Sequence, residues 1–458
     1  MERNKSSIYK KVLHLAVPMM IQNGITNAVG LVDNLMVGSQ GTESMTAVSI
    51  AGQLLFVFFL AVFGGLSGPG IYGAQYYGQN NEEGVRNVFR LKWMMALVIT
   101  AIGIAIFYFF GQFLLLRYLQ GEGEDIDPVL TLALAEDYLR IMLIGLVPLG
   151  ITQIYAGSLR ETDESVKPMV AGLCSVVIDI VFNYLLIYGN WGLPALGVKG
   201  AAIATVIARF VECFVLVIWA HASKKHSFLQ GVYKTFKIKK GFSKPIIIKS
   251  LPIFLNEFLW AGGIATITQC FSIRSLSVVA GLNISNALCN LLNVVFIAMG
   301  NAVGIIVGQM LGASQYDRAE KDSLKLMRFT GLICLVLTGI LLALSKVFPN
   351  FYDTTKEVRM YGRYFIMITA FFFPVQGFLN ALYFTLRAGG KTLVTFLFDS
   401  VYTWVVCVSL MFILCKYTAI PVLIVFIINQ SLDFLKVAIG YVLLKKKVWI
   451  TNLVEEKP

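Results

Sequence analysis

With 458 residues, 57% of them hydrophobic and 14% charged, the chain falls outside the range of soluble domains, which carry about a quarter charged residues. Its mean hydropathy of +0.73 is that of a polytopic membrane protein. The net charge of +12 does not call for nucleic acid, because the basic residues sit in short clusters between apolar runs, as in cytoplasmic loops beside lipid headgroups.

The first eleven residues are polar and basic. The apolar run that follows has no small-residue cleavage site, so it reads as a first membrane helix over 12–37 rather than a removed signal. Spanning segments of about 20 or more apolar residues follow at 47–77, 90–116, 131–158, 167–189 and 194–220. A second set lies at 245–270, 278–311, 325–348, 359–386, 391–415 and 417–444. Several exceed the bilayer core, so tilt or kinks are expected, with Pro148 and Pro374 as causes. The expected fold is all-α, with twelve helices in two six-helix lobes over 1–220 and 245–458. A basic linker over 221–244, rich in lysine, joins them.

The halves repeat. Pro18, Gln75 and Gly78 recur as Pro252, Gln309 and Gly312, each offset by about 234 positions. An even number of helices per half makes the repeats parallel, related by an axis along the membrane normal. Placing both termini and the linker in the cytoplasm puts most Lys and Arg inside, which fixes the expected orientation. Gly300, Gly304, Gly308 and Gly312 line one face of the eighth span, partly echoed by Gly65, Pro69 and Gly73 in the second. That spacing serves close helix packing, and a face that slides during a conformational change is compatible with it.

Ionisable groups inside spanning helices cost about 2.5–3.5 kcal/mol on insertion scales, so each invites a role. Asp33 lies toward the outer end of the first helix, with Gln22, Asn23, Thr26 and Asn27 on the turns before it and no Lys or Arg in helices one or two. It reads as a water-exposed or protonated acid, or as a cap at a helix end. Glu257 falls near the middle of the seventh helix with no base beside it in the sequence, and is the foremost candidate for cation or proton binding. Asp179 with Asn183, and Asp399, come next. Arg209 with Glu212, and Asp433 with Lys436, have the spacing of pairs that neutralise each other on one helix face. Asn283, Asn286, Asn290 and Asn293 form a stripe that could bond a neighbouring helix or line a wet path. Gln376 and Asn380 add polar atoms to the tenth helix. Tyr155, Tyr184, Phe254, Trp260, Phe296 and Tyr383 are candidates to stack on flat organic cations.

Other chemistry is excluded or absent from the pattern. Gly389-Gly390-Lys391-Thr392 imitates the end of a phosphate loop, but Thr385 stands where its leading glycine must be. His14, His221 and His226 lie at or outside the span boundaries, so no serine–histidine or zinc site fits the apolar core. The seven cysteines fall in or at the ends of apolar runs and read as packing residues. Neither an enzyme nor a resident cofactor is indicated. Coupling to an ion gradient is the remaining source of energy.

Leu-Val-Asp33-Asn-Leu-Met-Val-Gly38, Gly73-Ala-Gln75-Tyr-Tyr-Gly78 and its echo Gly308-Gln309-Met-Leu-Gly312-Ala together resemble the MATE (multidrug and toxic compound extrusion) family. Leu159-Arg160, Leu386-Arg387 and Asn183-Tyr-Leu-Leu-Ile-Tyr-Gly189 extend the resemblance over nearly the whole chain. It implies a V-shaped, two-lobed transporter and antiport of organic, often cationic and amphiphilic compounds against H⁺ or Na⁺. Asp33 takes the place of the family's first-helix aspartate and Glu257 that of one subfamily's seventh-helix glutamate. The tenth helix has no acid where that subfamily keeps one, and Asp399 is the substitute. Asp179 and Asn183 reverse the order of an Asn–Asp pair in another subfamily.

The expected mechanism is alternating access. A cation from outside, Na⁺ included, neutralises Asp33 and Glu257 and releases a cationic drug. A monomer in a bacterial inner membrane is expected. A flippase for a lipid-linked precursor would need cations in the cavity, and an intramembrane lipid-modifying enzyme would need clustered acids or a nucleophile–base pair. The one acid cluster, Glu122, Glu124, Asp125 and Asp127, reads as a solvated outer loop.

Overall fold

The computed structural model describes residues 5–119, 127–223, 225–238 and 241–455. Twelve helices there are long and apolar enough to cross a membrane, and no strand occurs among the described residues. They are α1 (Lys5–Gly38), α2 (Thr42–Gly78), α3 (Glu82–Leu119), α4 (Pro128–Glu161), α5 (Val166–Tyr188), α6 (Val198–Ala222) and α7 (Ser243–Ser272). Then follow α8 (Leu276–Gly312), α9 (Tyr316–Ser345), α10 (Lys356–Ala388), α11 (Thr392–Tyr417) and α12 (Val422–Lys445). In hydrocarbon every backbone N–H and C=O must be satisfied within the segment, which is why each apolar run becomes a helix. All twelve expected spans are present. Pro18, Pro69, Pro148, Pro252 and Pro374 lie inside helices without ending them.

The helix ends repeat more closely than the sequence does. After α2, Gln79, Asn80 and Asn81 donate backbone N–H groups to the carbonyls of Gln75, Tyr77 and Tyr76; after α8, Ala313, Ser314 and Gln315 donate to Gln309, Leu311 and Met310. Asn80 and Ser314 hold matching left-handed positions at φ 58° and φ 56°. α4 begins at Asp127, whose carboxylate accepts the N–H groups of Val129 and Leu130 at 2.9 and 3.3 Å. Asp127 is therefore a helix cap. Glu122, Glu124 and Asp125 lie outside the described residues, as do Lys224, Lys239 and Lys240 of the linker.

The chain forms two compact units. One joins α1 up to Met20 and Ile71–Asn81 to everything from Lys244 onward; the other holds Ile21–Gly70 and Glu82–Ser243. α1 and α2 each divide between these units. The reason is packing. Ile8, Val12, Leu15 and Met19 of α1 are buried in one core with Met299, Val303 and Val307 of α8 and Leu382 and Leu386 of α10.

The linker is not a free tether. Arg86 of α3 donates to the carbonyls of Phe228 and Ser227 at 3.1 and 3.2 Å, and Arg90 to that of Val232 at 3.0 Å. Phe228, Leu229 and Val232 are buried beneath them. Lys167 Nζ lies 2.9 Å from Nε2 of His226. Burial, then the neighbouring Lys167 charge, pushes the His226 pKa down to about 4.

Candidate functional site

Each unit carries its own buried polar cluster. In the unit holding α3 to α6, Asp33 of α1 meets Asp179 and Asn183 of α5. Asn183 Nδ2 donates to Asp33 Oδ1 at 2.8 Å. Asp179 and Asn183 are one turn apart and share a face of α5. The bond from Asn183 sets Asp33 beside that face, which also carries Asp179. Asp179 and Asn183 are buried, yet Oδ1 of each has no hydrogen-bond partner. Such orphan acceptors are uncommon in folded proteins and ask for an explanation.

Positive charge comes near this cluster without closing on it. Arg209 of α6 influences Asp179 and Tyr138. Its Nη1 donates to the Gly145 carbonyl at 3.4 Å. The expected Arg209–Glu212 ion pair does not form among the described residues, since Arg209 turns toward α4 instead. Deeper along α1, Gln22 Oε1 accepts from Arg160 Nη2 at 2.8 Å. Asn23 is half-buried, and Thr26 and Asn27 are exposed. Thr26 bonds only back to the Gln22 carbonyl, at 2.9 Å.

The second cluster corrects two readings of the sequence. Glu257 does have a base beside it: Arg387 Nη1 of α10 lies 3.6 Å from Glu257 Oε1. Asp399 is also matched, accepting from Lys436 Nζ of α12 at 2.8 Å. The direct ion pair of Lys436 is thus with Asp399 on α11 and not with the expected partner Asp433 on its own helix. Asn256 of α7 ties the cluster together, donating to Tyr383 Oη at 3.2 Å and to Asp399 Oδ2 at 3.1 Å. Its own Oδ1 accepts from Ser400 Oγ at 2.7 Å. Asp399 reaches this network from a π-helical stretch of α11, Leu397–Val401, whose wider turn shifts the register of side chains relative to an α-helix. Sequence spacing could not show these pairs, because α7, α10, α11 and α12 meet only in three dimensions. One signal was available: Arg160 and Arg387 close matching helices of the two halves, and each reaches the first helix of its half.

The remaining candidates separate. Asn283, Asn286 and Asn290 are exposed on α8, and the stripe's one internal bond runs from Asn293 to Asn290 at 3.2 Å. Asn380 is half-buried, with Oδ1 buried and unpartnered. Among the aromatics, Tyr155 is enclosed between His221 and Tyr233, bonding His221 at 2.8 Å, so it belongs to the linker contact. Tyr383 is held by Asn256 and Arg387. Phe296 packs on Phe373 and Phe254 on Phe258. Tyr184 and Trp260 are exposed. Groups of three or more metal-ligating side chains are absent among the described residues.

The model of the MatE family matches residues 18–185 and 252–418, one copy in each half. The chain belongs to the MATE family. It is thus a multi-pass membrane transporter and not an enzyme. Over 99% of its length it is 25% identical to the probable multidrug resistance protein YoeA of Bacillus subtilis, covering 98% of that protein. It is 22% identical to the probable multidrug resistance protein NorM of Thermotoga maritima, over 90% of this chain and 86% of that one. A solved structure described as the outward-facing conformation of a multidrug resistance MATE family transporter of the MOP superfamily superposes with a TM-score of 0.85 at 18% identity, covering 96% of both chains. The MATE fold therefore extends over 96% of the chain.

Proposed function

We propose that this chain exports organic, often cationic and amphiphilic compounds by alternating access, in exchange for H⁺ or Na⁺, from a bacterial inner membrane with both termini in the cytoplasm. The observation that carries this reading is the Asp33–Asp179–Asn183 cluster with its two orphan oxygens. Two buried carboxyl groups on facing helices repel when both are ionised, and a cation between them relieves that repulsion. A proton shared by the two acids would serve. So would a small hard cation, for which Asp33, Asp179 and Asn183 present oxygen ligands of the right kind.

Glu257 and Asp399 take a different part from the one their sequence positions suggest. Each has a resident cation, Arg387 or Lys436, so neither acid depends on a mobile one for neutralisation. Those cations are themselves engaged, which disfavours a flippase for pyrophosphate-bearing lipids. The exposed asparagine stripe of α8 supports a water-lined path, since hydrocarbon offers amides no partners.

Loading the Asp33 cluster with a cation removes negative charge that would otherwise hold a cationic substrate. That exchange need bias the two access states by only a few kcal/mol. Dye efflux from vesicles holding the purified protein, driven first by a sodium gradient and then by a proton gradient alone, identifies the ion. Asp33→Asn and Asp179→Asn should each lower gradient-driven efflux about tenfold or more, as loss of ~1.4 kcal/mol of coupling would. Undiminished efflux from both variants would remove the cluster from the mechanism.

A further inference from the structure

The repeat pair Gln75 and Gln309 belongs to neither charged cluster described above, yet both residues are buried, at 0% and 6% exposure. They sit where the end of α2 crosses the end of α8. A Cβ placed on Gly78 would lie 2.7 Å from Gln309 Cα, and one on Gly312 would lie 2.7 Å from Gln75 Cα. The two backbones therefore touch, with each glycine of one helix against the glutamine of the other. Four residues before Gly312, a Cβ on Gly308 would meet the Ala74 Cβ at 3.3 Å.

Each glutamine is held by a chain terminus. Gln75 Nε2 donates to the carbonyls of Ala388 and Thr451 at 2.9 and 3.3 Å, and its Oε1 accepts from the Leu453 backbone at 2.7 Å. The tail that supplies two of these bonds is seated firmly. Trp449 is 1% exposed against the Gly389–Gly390 turn, and Asn452 donates to the Gly312 carbonyl at 3.3 Å and to Ser314 at 3.2 Å. Gln309 Oε1 accepts from Lys11 Nζ of α1 at 2.6 Å. Thus the C-terminal tail grips a helix of the first half, and the N-terminal helix grips a helix of the second.

We infer that the α2–α8 crossing is a gate on the face that carries both termini, and that the tail on Gln75 and Lys11 on Gln309 are the clasps that position it closed. This rests on the alternating-access reading and cytoplasmic placement given above. For the halves to part on that side, Gln75 must leave Thr451 and Leu453, and Gln309 must leave Lys11; the tail itself stays with the second half through Trp449 and Asn452.

A disulfide between Ala74→Cys and Gly308→Cys tests this, because the separation lies close to the Cβ–Cβ distance of about 3.5–4.5 Å that a disulfide needs. Exposed Cys174 and half-buried Cys407 would be replaced by serine; the other native cysteines are buried. Oxidation should stop dye efflux from vesicles, and dithiothreitol should restore it. The crosslinking rate reports how long the gate stays closed. Gln75→Leu, Gln309→Leu and truncation after Lys447 should each slow it about fivefold or more. Gln309→Glu keeps an acceptor for Lys11 and should crosslink at the parental rate, which a merely misfolded gate would not. Crosslinking rates unchanged by all three clasp variants would overturn the clasp, as would full efflux from the oxidised protein. Wild-type vesicles that export no dye under either gradient would sink the antiport reading and the gate with it. The crosslinking rates need no gradient and tell that failure from failure of the clasp alone.

Discussion

Replacing Arg387 with methionine removes a charge from the second cluster while keeping most of the side chain's bulk. Arg387 and Glu257 side chains are 5% and 14% exposed, and their closest atoms are 3.6 Å apart. At an effective dielectric near 20, opposite unit charges at that separation attract by roughly 4–5 kcal/mol. The separation exceeds that of a short charge-assisted hydrogen bond, so little further comes from direct bonding. Removing one partner of a buried pair typically costs about 3–5 kcal/mol, because the remaining charge stays out of water. Arg387→Met should therefore destabilise the protein by about that much, with Glu257→Gln also destabilising. The double variant should recover to within about 2 kcal/mol of the parent, since no isolated charge is left. Reversible unfolding in mixed detergent–SDS micelles, followed by circular dichroism, measures all four corners of the cycle. If the two single costs simply add in the double variant, the pair is not coupled and Glu257 is available to a mobile cation after all.

Gly78→Ala and Gly312→Ala should each cost about 3 kcal/mol in the same unfolding assay, because the new methyl group meets backbone atoms, which cannot rotate aside. Lys92→Met should cost a similar ~3–5 kcal/mol, since Lys92 holds both oxygens of Glu161 at 2.6 Å in a buried site. The docked linker should loosen in acid. His226 is neutral when docked, with its pKa lowered from 6.5 to about 4, so the undocked form binds more protons between those values. Docking is thus strongest above pH 6.5 and weakens as pH falls toward 4. Amide hydrogen exchange at Phe228, Leu229 and Val232, divided by its intrinsic rate at each pH, should accelerate over that window and lose this acceleration in His226→Gln; corrected exchange equally fast at pH 7.5 and pH 5 would contradict it.

Much of the helical framework was legible because the bilayer allows few solutions. An apolar run of sufficient length has to be a helix, so all twelve spans could be read from composition alone. That Asp33, Asp179 and Asn183 each need a partner or water was legible, since all three are polar residues in apolar helices; that Asn183 bonds Asp33 was not. The misreadings share a cause. Sequence neighbours leave Glu257 without a base and give Lys436 the wrong acid, whereas their partners, Arg387 and Asp399, lie on other helices. Lys436 makes its direct ion pair with Asp399, which the π-helical stretch of α11 presents, and not with Asp433.

The amino-acid sequence by itself determined the twelve spans, the duplication and the residues whose burial demands a partner, since hydrophobicity and the satisfaction of backbone polar groups act locally along a chain. The tertiary structure alone decided which charges are already matched, that the linker is docked, and that the last residues reach back to Gln75. Those outcomes depend on distances between helices far apart in sequence, and electrostatic and steric energies are set by such distances rather than by order along the chain.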